Sequence, residues 1–106
     1  LNDTAEIKLA IQEALQQSEG ETAPSFYTIR AAEGLVDKIS QLKLQQPGEV
    51  YTGQQGELIF VWRGHGLKLE AWLLPSGEIL NYFSPNKGQT AGEVAMFDHL
   101  RAMASR

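Results

Sequence analysis

Cysteine is absent from this 106-residue chain. That excludes disulfides, thiolate metal ligands and a cysteine nucleophile, and it fits a reducing cytosol. Long apolar runs are absent too. None approaches the ~20 residues a membrane-spanning helix needs, so no membrane span is expected. Positive charge is scarce: nine lysines and arginines against thirteen acidic residues leave a formal charge of −4. The cations are scattered from Lys8 to Arg106, and no basic strip is interleaved with aromatics. An acidic chain repels phosphate backbones unless its cations gather on one face, so nucleic-acid binding is not expected. The opening LNDTAE has no positive or apolar leader character, so it does not read as a signal peptide. The chain starts at Leu1 rather than Met, and residues upstream are expected. Only two histidines occur, with no HxxxH or HExxH spacing, so neither a metal site nor a cofactor is expected. No GxSxG elbow, Walker pattern or GxGxxG opening a helix is present.

At 42% hydrophobic and 21% charged residues, what remains is the composition of one globular domain spanning 1–106. Ile7, Ala10, Ile11, Ala14 and Leu15 recur at helical spacing and predict a helix over about 4–18, with Asp3 and Glu6 as a capping box and Leu9 off the stripe. Ile29, Ala32, Leu35, Val36, Ile39 and Leu42 predict a second helix over about 28–44, capped by Ser25 or Thr28 and stopped by Pro47-Gly48. Gly34 lies inside it, as if to admit a closely packed element such as the first helix. From Glu49 the period drops from 3.6 to 2. Strands are expected at 49–52, 57–63, 67–74 and 78–83, joined by the turns RGHG and PSGE. Thr90 three residues before Glu93 makes another capping box, and Val94, Phe97, Leu100 and Ala104 predict a last helix over about 91–104. The class is α+β: two helices, a three- to four-stranded antiparallel meander, and a C-terminal helix. No helix separates successive strands, which excludes a doubly wound sheet.

Strand periodicity assigns each residue to a face. With Ser76-Gly77 as a two-residue loop, Leu74 pairs with Ile79, Leu73 with Leu80, Trp72 with Asn81 and Ala71 with Tyr82. One face then holds Leu58, Phe60, Trp62, Leu67, Leu69, Ala71, Leu73, Leu80 and Tyr82, and is the core. The other mixes Ile59, Val61, Trp72, Leu74, Ile79 and Phe83 with Glu57, Arg63, Lys68, Glu70, Glu78 and Asn81. A solvated sheet face should be mostly polar, so this one asks for a cover: the C-terminal helix, a second copy, or another protein. Val61, Trp72, Ile79 and Phe83 are the expected anchors of an interface, with Arg63, Lys68 and Glu70 as its rim.

Chemistry is harder to find. His65 sits between two glycines, a mobile setting for a general base and an ordinary one for a turn. His99 reads as solvent-facing near a helix C-terminus, and its neighbour Asp98 points elsewhere around the helix. Glu70 and Glu78 read as members of a cross-strand charge pattern with Lys68.

The landmarks Pro47, Gly56, Trp62, Gly64/Gly66, Pro75, Gly77 and Tyr82-Phe83 resemble those of a loose group of short bacterial proteins, many of them cyanobacterial. They share an extended segment after proline, a strand bearing tryptophan, a Pro-x-Gly turn and an aromatic-ending strand. The group carries no assigned activity, so the resemblance implies the hairpins and transfers no functional residue. Short proteins of this kind are often encoded beside a second small gene, as in toxin–antitoxin and effector–immunity pairs. The sequence therefore leads us to expect a non-enzymatic cytoplasmic interaction module, either a homodimer or the small subunit of a pair. The alternative is a small-ligand binder or hydrolytic enzyme with a pocket near His65 or His99.

Overall fold

The structure, a computed structural model, describes residues 4–18, 22–85 and 88–105. The Asp3 cap, Glu19-Gly20-Glu21 and Asn86-Lys87 lie outside the described residues. The order is α1 (Thr4–Gln16), α2 (Phe26–Gln41), β1 (Glu49–Thr52), β2 (Leu58–Gly64), β3 (Leu67–Leu73), β4 (Ile79–Ser84), β5 (Gln89–Ala91) and α3 (Glu93–Ala104). The strands form one antiparallel sheet in the order β1-β2-β3-β4-β5. The α+β class stands, with one strand more than expected. Among the described residues no helix is long and apolar enough to cross a membrane.

The helices follow their apolar stripes, and their ends follow their caps. In α1, Ile7 and Ile11 are buried and Leu9 faces solvent. Helix α2 starts two residues earlier than expected because the Ser25 hydroxyl accepts from the Thr28 N–H. It also stops sooner. The Lys43 N–H donates to the Ser40 carbonyl and the Leu44 N–H to the Ile39 carbonyl, with Lys43 at φ 57°. This is a Schellman closure, and Leu44 folds back onto the core as such closures favour. In α3 the buried stripe is Met96, Phe97, Leu100 and Met103, whereas Val94 is 70% exposed.

Gly34 is not a packing notch. A Cβ placed there meets no atom of another element within 4 Å, so among the described residues no other element packs closely on it. Glycine inside a helix costs about 1 kcal/mol relative to alanine. Gly34→Ala should therefore stabilise the fold by that amount, read as a higher urea midpoint at unchanged slope. A lower midpoint would refute this account of Gly34.

Two turns set the sheet register. His65 and Gly66 form the β2–β3 turn with φ of 53° and 75°. Two successive positive values mark a type I′ turn, whose twist suits the flanking strands. The β3–β4 turn differs from expectation. The Leu74 N–H donates to the Glu78 carbonyl and the Gly77 N–H to the Leu74 carbonyl, both at 2.9 Å. Gly77 has φ 91°. The loop is thus three residues, Pro75-Ser76-Gly77, a type I turn closed by a left-handed glycine, with proline at its favoured position. The extra loop residue moves the pairing by one: Leu73 faces Ile79, Trp72 faces Leu80, Ala71 faces Asn81 and Glu70 faces Tyr82. A shift of one swaps every β4 side chain to the other face. Ile79, Asn81 and Phe83 therefore turn to the core, and Leu80 and Tyr82 turn outward.

The Thr90–Glu93 capping box does not form. Residues 89–91 pair with β4 instead, and α3 begins after Gly92, which makes no side-chain cap. Glu93 reaches across to Lys38 of α2, whose Nζ donates to both carboxylate oxygens at 2.9 and 3.0 Å.

All three helices pack on the same side of the sheet. One cluster joins Ile7 and Ile11 of α1, Val36 and Ile39 of α2, and Met96 and Leu100 of α3 to Leu58, Phe60, Trp62, Leu69, Ala71 and Phe83. The C-terminal helix therefore does not cover the second face. Among the described residues nothing helical does.

Candidate interaction face and groove

The uncovered face can be read rung by rung from the register. One rung runs Tyr51, Ile59, Trp72, Leu80, Ala91 across all five strands and is wholly apolar. The next runs Glu49, Val61, Glu70, Tyr82, Gln89. The third carries Arg63, Lys68 and Ser84. At the opposite end, past the apolar rung, Glu57 and Glu78 flank Leu74, because the register one step beyond Leu58 and Leu73 sets Glu57 beside Leu74 and the Leu74 N–H bonds the Glu78 carbonyl.

Exposure separates anchors from filler. Ile59 and Val61 are buried although no helix covers them, Val61 to 2% exposure. Their taller neighbours in register shield them: Tyr51 and Trp72 beside Ile59, Glu49 and Glu70 beside Val61. Tyr51 and Tyr82 remain 48% and 38% exposed, and Trp72 is half-buried. The Trp72 and Tyr82 rings meet edge to face with centroids 6.0 Å apart. Of the expected anchors, only Trp72 both lies on this face and stays accessible. Val61 is on the face but shielded, while Ile79 and Phe83 are on the helix side. Tyr51, Leu80 and Tyr82 were missed. The last two follow once the loop is counted as three residues, and Tyr51 follows from extending the alternation into β1.

The residues expected as a rim, Arg63, Lys68 and Glu70, share this face and are held in two ion pairs. Arg63 Nε lies 2.8 Å from Glu49 on the neighbouring strand, and Lys68 Nζ lies 2.7 Å from Glu70, two residues along its own strand. The Tyr51 hydroxyl also donates to Glu49, and the Trp72 indole N–H donates to Glu70 at 3.0 Å. The Tyr51 and Arg63 hydrogen bonds hold the Glu49 carboxyl below its ordinary range. Those from Lys68 and Trp72 do the same for Glu70. Both carboxylates thus keep their charge into mild acid, and the rim persists with them.

Among the described residues neither histidine is ion-paired with a carboxylate. His65 is exposed at a turn tip. His99 is not solvent-facing as expected: its ring stacks on Phe83 at 4.6 Å, and its Nε2 lies 2.9 Å from the Thr90 hydroxyl of β5. Burial lowers its pKa from the ordinary 6.5, against the opposing pull of Asp98. A group whose folded pKa is depressed stabilises the fold above its unfolded value and loses that contribution as pH falls through the folded value. Stability should therefore decline as pH drops below about 6.5. His99→Gln should flatten that decline in thermal melts taken between pH 7.5 and 5.5, and an unchanged slope would count against it.

A separate groove of about 460 Å³ lies between α2 and the β3–β4 turn. Tyr27, Ala31, Gly34 and Lys38 form one wall, Leu74, Pro75 and Ser76 the other, and Glu93 sits at its margin. Neither His65 nor His99 lines it. Among the described residues no group of histidine and carboxylate side chains is placed to hold a metal ion. No protein-family model matches this chain, and no curated protein or solved structure matches it either.

Proposed function

We propose that this chain is a non-enzymatic protein-interaction module that docks through the open face of its sheet. The carrying observation is the apolar rung Tyr51, Ile59, Trp72, Leu80, Ala91, which crosses five strands on the side that the described helices leave bare. An aromatic side chain buries roughly 150–250 Å² when covered, so leaving three of them half in water forgoes much of the fold's available apolar burial. Exposed aromatics bordered on one side by ion pairs and on the other by carboxylates match the anchor-and-rim anatomy of protein interfaces. The module works in the cytoplasm as one member of an assembly. The protein encoded beside it is the first partner to test, given the gene-pair habit of the short bacterial proteins it resembles. Co-expression and co-purification of the two chains, repeated with Trp72→Ala and with Phe26→Ala as a control away from both the face and the groove, decides it. Loss only with Trp72→Ala supports the reading, and equal recovery of all three rejects it.

The groove favours a second reading, a small-ligand binder. Its volume of about 460 Å³ lies within the range of ligand pockets, roughly 300–1,000 Å³. A hydrolytic version of this reading finds no histidine beside Ser76 in the groove, and the carboxylate there, Glu93, is held by Lys38. Gly34→Leu fills the groove where an added Cβ meets nothing, so a ligand held there loses affinity while the fold persists.

A further inference from the structure

We infer that the open face is built for a basic partner, a different protein presenting an apolar strip flanked by lysine or arginine, and not for a second copy of this chain. The inference rests on the interaction reading above and specifies its occupant.

Charge on the face carries the argument. By register it holds the carboxylates Glu49, Glu57, Glu70 and Glu78 and the cations Arg63 and Lys68. Both cations are already engaged, Arg63 by Glu49 and Lys68 by Glu70. The two remaining carboxylates sit together at the hairpin end, immediately past the apolar rung. Glu57 accepts the Gln55 backbone N–H at 2.8 Å, and among the described residues no cation pairs with it or with Glu78. Among the described residues the face therefore carries two more negative than positive groups, on a chain whose formal charge is already −4. A second copy would bring the same excess against it and offer only cations that are in use. Like charges set opposite one another in an interface are costly and exclude that partner. A basic partner gains instead: its apolar strip covers Tyr51, Trp72 and Leu80 while its cations reach Glu57 and Glu78.

The chain itself supplies a defined basic probe. Glu57→Lys/Glu78→Lys keeps the apolar rung but reverses the excess charge, giving a face complementary to the wild-type one. Light scattering is run on each protein alone and on their mixture, in low and high salt. Wild type alone should be monomeric, and the mixture should form a heterodimer. Its association should be about tenfold tighter than wild-type self-association, as two exposed charge pairs allow, and should weaken with salt. Trp72→Ala in either chain should abolish it. Glu78→Lys alone, at an exposed position whose side chain holds no turn bond, should give the same direction at smaller size and guards against loss of the Glu57 turn contact. A wild-type homodimer that Trp72→Ala dissolves would overturn the basic partner while leaving the interaction reading intact. No association in the mixture, with no effect of Trp72→Ala on co-purification, would overturn both.

Discussion

Replacing Trp62 by alanine should cost about 3–5 kcal/mol of folding stability, the range for truncating a buried aromatic. Trp62 is fully buried at the centre of β2. Its ring meets Phe60 edge to face, with centroids 6.1 Å apart and an interplanar angle of 88°. Its indole N–H donates to the Gln45 carbonyl at 2.8 Å and so ties the segment before β1 to the core. Truncation leaves a cavity between helices and sheet that the close-packed neighbours cannot fill. Domains of this size have a total stability of about 5–15 kcal/mol, so the variant should sit near its unfolding threshold at room temperature. Trp62→Phe keeps most of the volume and loses the hydrogen bond, and should cost about 1–2 kcal/mol. Urea unfolding followed by circular dichroism measures both. A loss below about 1 kcal/mol for Trp62→Ala would mean that the core does not centre on this residue.

The second large effect concerns the other tryptophan and the opposite property. Trp72→Ala should leave folding stability within about 1 kcal/mol, since its ring is already half in water and only its partial burial is lost. Partner affinity should instead fall by about 30-fold or more, the hallmark of a central aromatic anchor at about 2 kcal/mol. The two tryptophans lie ten positions apart in the chain and occupy opposite faces of one sheet. The pair therefore separates fold from contact within a single residue type. If Trp72→Ala destabilises the fold as much as Trp62→Ala does, some part of the chain covers the open face in solution. The docking reading would then have no surface to act on.

The groove along α2 is independent of this contrast. Its wall at Gly34 can be filled without touching either tryptophan. A partner that ignores Trp72→Ala yet is lost with Gly34→Leu would transfer the function from the sheet to the groove.

The sequence by itself determined the three helices, the first four strands, their order and the core face of β2 and β3. These follow from local periodicity: a stripe at 3.6 for Ile29 through Ile39, and strict alternation for Leu58, Phe60, Trp62 and Leu67, Leu69, Ala71. It also contained the true β3–β4 register. Proline, serine and glycine in a row suit a three-residue loop, and counting it as two residues is what placed Ile79 and Phe83 on the wrong face. Other features had no local signal. Gln89-Thr90-Ala91 is too short and polar to read as a strand, and its capping-box pattern with Glu93 pointed to a helix. Only hydrogen bonding to β4 makes it one. His99 acquired its environment from Phe83 and Thr90, which approach only after β4, β5 and α3 have packed together. Where the C-terminal helix packs was also tertiary. Both faces of the sheet carry apolar residues that it could cover, and alternation within the strands does not place it. The decision falls to which side can bury more. Three helices pack on Leu58, Phe60 and Trp62, leaving Trp72 and Tyr82 on the side that the described helices do not cover.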